Sequence, residues 1–520
     1  MYFLRLPSQD LLHFILSHWT SLLWGAVVLV VIKIIWWYGQ KTERAIRNTF
    51  PHLRGPKPVP FLGFLPEFAK HSNGIHLLLD KYYKLYGRVF TMAFARGKPA
   101  LVVCDPKMLR EIFVKNFDCF YDRPVPFELP EPLDSFLSIV RGERWKRIRN
   151  TLSPTFTAHN MKSMVPLINV PCDTLMKKIE KAAETGETFD IVKYQQAVTV
   201  EIILSIVFGI QSDCQMNPDD PLMARALDAM QPTPFKQLLF NVILPILPLG
   251  SYFTQSEMGA KYIFSSMYDL ASFTRSVINE RKELKTSRKD LLDLMLKAAD
   301  PSNKSDKRLT EDEVVSQCII FFLGGYETTS TTLALTCHNI ATHPDVQLKL
   351  QQEIDSVWTD EDQMPSYDTV HKLPYLDMVI SETLRMYPPG TLLTRTCMKE
   401  CTIQGIRIPK GCDIFVTSYS MQRDPRNYPD PEKFDPERFS PEAKQARDPY
   451  TFLPFGHGPR DCIGKRFAFM EMKLVLSRIL RRYDIKTTPE TEIPPNVGVK
   501  NTLSVIGGVK VAVSPRVKNG

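Results

Sequence analysis

The 520-residue chain has no regular cysteine framework, no internal repeat and, after residue 60, no linker that would divide it. Its ten cysteines, at positions 104, 119, 172, 214, 318, 337, 397, 401, 412 and 462, are scattered. In so large a chain this excludes a disulfide-stapled secreted fold and points to reduced thiols in a cytosolic compartment. Cys397 and Cys401 have Cys-x3-Cys spacing, but no second pair or histidine stands nearby to complete a zinc site. Charge of one sign is also short: 65 Lys+Arg against 57 Asp+Glu leave a modest +8. No motif or interleaving of aromatic and basic residues supports nucleic acid as a partner. Length alone would allow about two to four domains. The missing linker favours one continuous unit over residues 61–520.

What is present begins with an apolar amino terminus. Apolar and aromatic residues dominate from Leu11 to Tyr38, and Leu22–Ile35 is broken only by Gly25 and Lys33. Trp19 to Ile35 would give about 25 Å of helix. That is slightly short of a hydrocarbon core of about 30 Å, so the span is expected to begin nearer Phe14. Lys33 can snorkel to the headgroups, and Trp36-Trp37-Tyr38 forms an aromatic belt. Lys41, Arg44, Arg47, Arg54 and Lys57 follow the span, against Arg5 before it, which places the bulk of the protein on the cytosolic side. A cleaved signal peptide would need a short apolar region and a small-residue cleavage site, and the flanks offer neither. Residues 1–38 therefore read as a single membrane anchor. Residues 39–60, basic and ending in Pro51 and Gly55-Pro56-Lys57-Pro58-Val59-Pro60, read as a stiff hinge.

In the remainder, β-type runs at Arg88–Ala93 and Ala100–Cys104 flank a mainly helical region from about 140 to 350. Strand-like segments return at 391–418 and after 483. Glu313–Ile340 reads as one long helix with Gly324-Gly325 at its centre. Each glycine costs about 1 kcal/mol relative to alanine, so close helix packing or a local opening for a ligand should offset it. Glu382 and Arg385 have the i,i+3 spacing of a pair on one helix face. Gln231–Phe253 is apolar and interrupted by prolines, suited either to the core or to the bilayer surface.

The stretch Phe455-Gly456-His457-Gly458-Pro459-Arg460-Asp461-Cys462-Ile463-Gly464 is the most specific in the chain. It sets one cysteine among small and rigid residues just before an amphipathic helix. A thiolate there would accept backbone N–H bonds and face the positive end of that helix. The glycines would let the backbone approach a flat, bulky ligand. The stretch matches the haem-thiolate signature F-x-x-G-x-R-x-C-x-G, and the chain resembles the microsomal cytochrome P-450 family.

That resemblance implies a mainly α fold with small β-sheets, preceded by a single transmembrane helix. It implies haem b as cofactor, with Cys462 as axial ligand and Phe455 and Gly464 beside it. Trp145 and Arg149, spaced Trp-x3-Arg, would contact a haem propionate, with Arg460 and Arg395 as further propionate partners. The family pattern [Ala/Gly]-Gly-x-[Asp/Glu]-Thr matches residues 324–328. By it, Thr328 would hydrogen-bond dioxygen and Glu327 would help relay protons. Glu382, Arg385 and Arg438 would form a buried structural triad under the cysteine loop. Phe117–Leu137 would line the distal pocket. The implied activity is insertion of one oxygen atom from O2 into a lipophilic substrate: a steroid, fatty acid or xenobiotic. Electrons would come from NADPH through NADPH-cytochrome P-450 reductase, with cytochrome b5 as a further candidate donor, at the endoplasmic reticulum membrane. Arg141–Arg149 and the basic residues Lys465, Arg466, Lys473, Arg478, Arg481 and Arg482 would form the face that steers an acidic donor.

Ala341-Thr342-His343-Pro344-Asp345-Val346 and Tyr375-Leu376-Asp377-Met378-Val379 resemble the clan of xenobiotic and steroid hydroxylases that also holds thromboxane synthase. A rearranging isomerase of that type is the first alternative, and it would not need the Glu327-Thr328 pair. A haem-binding protein without turnover is the second.

Overall fold

The computed structural model describes the chain except residues 1–7, parts of 60–73, 94–98, 126–127, parts of 218–249, 285–287, 289, 301–307, 361–362, 500 and 518–520. Helix α1 (Ser8–Thr49) carries the apolar run, and its segment Leu23–Thr49 is long and apolar enough to cross a membrane. Trp24, Leu29 and Trp36 stand exposed on it. The helix continues through residues 39–49, the first half of the expected hinge, because no proline intervenes before Pro51. Thr42, Ile46 and Phe50 are buried there, so this end of α1 packs on the globule.

The β-type runs form a four-stranded sheet of β1 (Val89–Ala93), β2 (Pro99–Val103), β3 (Leu392–Thr396) and β6 (Asp413–Thr417), in the order β1-β2-β6-β3. β2 and β6 run parallel and the other pairs antiparallel. A hairpin of β4 (Cys401–Ile403) and β5 (Ile406–Ile408) lies between β3 and β6 in the chain. Helix α2 (Gly142–Leu152) is the basic Trp-x3-Arg segment. Helix α3 (Ile191–Ile203) begins where Asp190 accepts from the Val192 amide, and it is almost wholly buried. The apolar segment Ile191–Phe208 also has the length and hydropathy of a span, but 78% of it is buried, which makes it a core helix.

Helix α3 packs on α4 (Glu311–Thr342), whose start is fixed by a capping box. Thr310 Oγ1 accepts from the Glu313 amide, and Glu313 accepts from the Thr310 amide. Glu313 also binds Arg144 and Arg147, so one carboxylate both caps α4 and ties α2 to it. Helices α5 (Pro374–Met386) and α6 (Lys465–Arg482) complete the support under the cysteine loop. After α6 come the strands Tyr483–Thr487 and Lys510–Pro515, which form a three-stranded sheet with Phe189–Asp190, and the hairpin Val497–Val499/Leu503–Val505. Most of Gln231–Phe253 lies outside the described residues.

The Glu-x-x-Arg pair forms as its spacing predicts. Arg385 donates from Nε and Nη2 to the two oxygens of Glu382 at 2.7 and 2.9 Å, with both side chains fully buried. Arg438 stands 3.5 Å from the same carboxylate.

On α6, Glu471 is fully buried and neither oxygen has a hydrogen-bond partner among the described residues. Burial drives its carboxyl well above the usual carboxylate range, so the folded chain holds a proton that the unfolded chain releases. The resulting stability is present below the unfolded carboxylate range and is lost as pH rises above it. Glu471→Gln should therefore unfold at a higher temperature than the parent at pH 7.5. The gap should narrow toward pH 5, by up to about 1.4 kcal/mol per unit. Thermal melts across that range are the check, and a gap independent of pH would show that Glu471 is ionised in the fold.

Candidate active site

The cysteine loop is shaped by its own backbone bonds. Cys462 N–H donates to the Phe455 carbonyl at 2.8 Å, and Asp461 N–H to the Gly458 carbonyl at 3.0 Å. Gly456 and Gly458 take positive φ, 73° and 79°. At Gly458 a Cβ would also run into the Phe113 carbonyl oxygen, so no side chain fits the turn. Gly464 sits at the N-cap of α6, and its amide bonds the Cys462 sulfur. Cys462 is exposed, yet burial pushes its thiol up, while the Gly464 amide, Arg149 and Arg123 pull it down. The residue is thus exposed while its thiol is desolvated by the protein around it. Phe455 packs against Phe469 of α6, with ring centroids 5.7 Å apart.

Beside the loop, several guanidinium groups converge. Arg460 is buried, with its guanidinium 4.3 Å from the centre of the Trp145 ring. It donates to the Val140 carbonyl at 2.6 Å and to Asp122 at 3.3 Å, while its Nε and Nη1 have no hydrogen-bond partner among the described residues. Arg395, on β3, is equally buried; it lies over Phe113, donates to the Thr394 carbonyl and leaves Nε unmet. Burial, then Arg123 and Arg460, holds Arg395 well below the usual arginine range, and burial with Arg123 brings Arg460 down to about 9. Arg123 belongs to the same group: it donates to the Ser138 and Arg460 carbonyls, and burial lowers it too.

Arg149 stands one turn after Trp145 on α2. Its two nitrogens clasp Asp461, at 2.9 Å to the carbonyl and 2.8 Å to the carboxylate. It braces the loop, while Trp145 supplies the ring under Arg460. Arg123 and Asp122 went unnoticed in the sequence because no short motif marks them.

On α4, the two central glycines divide the two roles expected for them. A Cβ at Gly325 would meet Ile203 of α3 at 2.5 Å, which is close helix packing. A Cβ at Gly324 would meet nothing within 4 Å, and Gly324 is exposed between buried Leu323 and half-buried Gly325. Thr328, one turn on, is half-exposed and donates to the Gly324 carbonyl at 2.7 Å. Glu327 is buried and accepts from Thr502 at 2.6 Å, a contact from the C-terminal hairpin turn that the sequence did not announce.

The expected basic face is smaller than its residue count. Lys473, Arg478 and Arg481 of α6 are buried and paired with Asp377, Asp173 and Asp355. Arg144 and Arg147 are committed to Glu313. Arg141, Lys146, Lys465, Arg466 and Arg482 remain exposed.

The family model "Cytochrome P450" matches residues 53–509. Cytochrome P450 3A41 of Mus musculus is 36% identical over 94% of this chain and 96% of its own length. Cytochrome P450 3A31 of Mesocricetus auratus is 37% identical over the same shares. Cytochrome P450 3A7 of Homo sapiens is 36% identical over 90% of this chain and 92% of its own.

The two kinds of glycine separate by mutation. Gly458→Ala forces a positive φ on alanine, costing about 1–2 kcal/mol before any clash, and should visibly lower the unfolding temperature. Gly324→Ala should leave it unchanged or raise it, by up to about 1 kcal/mol. Equal losses at both positions would deny Gly324 an open face.

Proposed function

The chain belongs to the cytochrome P450 family, and from that premise we propose how its own residues serve a membrane-anchored haem-thiolate monooxygenase. Haem, when bound, supplies the redox chemistry that splits dioxygen and delivers one oxygen atom to substrate. Cys462 is the proposed thiolate ligand, held at its height by the Phe455 carbonyl and the Gly464 amide. Arg460, Arg395 and the Trp145–Arg149 pair, steadied by Arg123, are the proposed partners of the propionates. The observation that carries this reading is the set of buried, mutually repelling guanidinium groups with open donors beside an exposed cysteine. Planar carboxylates satisfy such groups with parallel N–H bonds.

Gly324 and Thr328 are proposed to face the same interior space as Cys462. By letting go of the Gly324 carbonyl, Thr328 would offer its hydroxyl proton to that space. Glu327, held by Thr502, would restore that proton from the side of the C-terminal hairpin. This acid–alcohol pair favours oxygen insertion over an isomerase, which has no use for it.

Substrates are proposed to be lipophilic steroids, fatty acids or xenobiotics. The electrons are proposed to come from NADPH through NADPH-cytochrome P-450 reductase, with cytochrome b5 as a further donor. The exposed apolar length of α1 and the basic residues after it support anchoring in the endoplasmic reticulum membrane, with the globule cytosolic.

The deciding experiment supplies the purified protein with reductase, NADPH, 18O2 and a pooled panel of steroids, fatty acids, endoperoxides and xenobiotics. Label in an NADPH-dependent product is expected; unlabelled, NADPH-independent rearrangement of an endoperoxide would install the isomerase instead. Cys462→Ser should abolish the thiolate-type carbon monoxide spectrum, and a retained spectrum would remove Cys462 as ligand. Thr328→Ala should raise NADPH consumed per product severalfold, whereas unchanged coupling would leave Thr328 without its assigned task.

A further inference from the structure

Away from the cysteine loop, three thiols from two separate segments come together. Cys119 ends a short 3-10 turn, Phe117–Cys119, while Cys397 and Cys401 flank the bend between β3 and β4. The two segments pair through their backbones: Met398 N–H donates to the Cys119 carbonyl at 2.7 Å, and Thr396 N–H to the Asp122 carbonyl at 2.8 Å. At the far end of the hairpin, Gln404 reaches Glu111 at 3.4 Å. This pairing brings the Cys401 side chain within hydrogen-bonding reach of Cys119 on one side and of Cys397 on the other. Cys397 is buried, with its thiol turned to the Lys399 and Ile408 carbonyls. Cys119 and Cys401 are both partly exposed, on the same apolar cluster. Among the described residues no group of three such side chains is placed to hold a metal ion.

We propose that Cys119 and Cys401 form a reversible intrachain disulfide that fastens the 117–123 segment to the β4–β5 hairpin. The chemistry is a pair of thiol–disulfide exchanges with a low-molecular-weight disulfide such as oxidised glutathione. In the first, one protein thiolate attacks the glutathione disulfide, forming a mixed disulfide and releasing one glutathione. In the second, the other protein thiolate attacks the protein-side sulfur and releases the second glutathione. The two thiol protons end on the two released glutathiones, and the two electrons reduce the disulfide that was consumed.

The link would act on the haem cradle. Asp122 and Arg123 sit just beyond Cys119, and they bond Arg460 by its side chain and its carbonyl. Asp122 also accepts from the Gly142 amide at the start of α2. Closing the disulfide restrains the segment that carries both residues, while reduction frees it. Cys401 gives the site a slow response, because burial, together with Cys397 and Cys119, pushes its thiol up to about 12. Little thiolate is present near neutrality, so closure through this thiol should accelerate about tenfold per pH unit across the mildly alkaline range.

The test treats the full-length, haem-loaded protein in detergent with oxidised glutathione, caps free thiols with N-ethylmaleimide and maps peptides by mass spectrometry. The expected product is a peptide pair joining Cys119 to Cys401, reversed by dithiothreitol. It should be absent in Cys119→Ser and Cys401→Ser and kept in Cys397→Ser. Amide hydrogen exchange over residues 117–123 should slow severalfold in the oxidised form. Glutathione left on Cys119 or Cys401 without a link, or a link confined to Cys397 and Cys401, would overturn the proposal. The mapping needs only the parent protein, so poor folding of a variant does not blunt it.

Discussion

Positive charge buried without enough negative charge is the constraint around which this site is built. Arg123, Arg395 and Arg460 crowd together, and the groups they contact are mainly carbonyl oxygens of Ser138, Thr394 and Val140. Carbonyls orient a guanidinium but do not neutralise it. Asp122 offers Arg460 one carboxylate at 3.3 Å, and Asp461 is already taken by Arg149. Such an arrangement is unfavourable in isolation, since a buried charge is tolerated only when paired. It becomes reasonable when an anion with two carboxylates completes it. The rest of the local fold serves to keep these arginines from relaxing into water. β3 fixes Arg395 from the sheet, the loop fixes Arg460, and Trp145 of α2 closes the space beneath it.

A second network carries rigidity from the core to the cysteine loop. Arg385 binds Glu382 and also donates to the carbonyls of Gln422 and Pro431. Gln422 returns the connection: its amide donates to the Leu384 and Arg385 carbonyls, and its side-chain oxygen accepts from the Leu453 amide at 2.9 Å. Leu453 stands two residues before Phe455, so the buried ion pair and the loop share one chain of bonds. Breaking such a pair from one side costs about 3–5 kcal/mol, because the orphaned charge stays buried. The height of the sulfur is thus set by residues that never approach it.

Motifs with rigid local spacing were legible in the sequence. The loop glycines, the i,i+3 pair and the helical and strand periods all express geometry within a few residues. Gly324 and Gly325 could be flagged from sequence but not told apart, since their roles depend on whether Ile203 or open space lies opposite. Arg123, Asp122 and Thr502 were invisible for a related reason. Each acts across a long chain separation, through contacts to Arg460 or Glu327 that no local pattern encodes. The helical continuation of α1 to Thr49 was hidden by reading the basic charge and the prolines as one hinge, when the prolines begin only at Pro51.

Counting basic residues along α2 and α6 overstates the charge that a redox partner could feel. A lysine or arginine that is buried against an aspartate contributes almost no field outside the protein, because its partner cancels it over a few ångströms. That removes Lys473, Arg478 and Arg481, which instead brace α6 against Asp377, Asp173 and Asp355. The exposed remainder divides into Arg141 just before α2, Lys146 on it, and Lys465 and Arg466 at the first turn of α6, with Arg482 at its far end. The first four flank the very segments that hold Trp145 and Cys462. A field concentrated there would orient an acidic protein toward the sulfur side of the site, and salt would screen it over about 10 Å. The buried arginines of α6 serve the same end indirectly, by keeping the helix that starts at the cysteine loop from shifting.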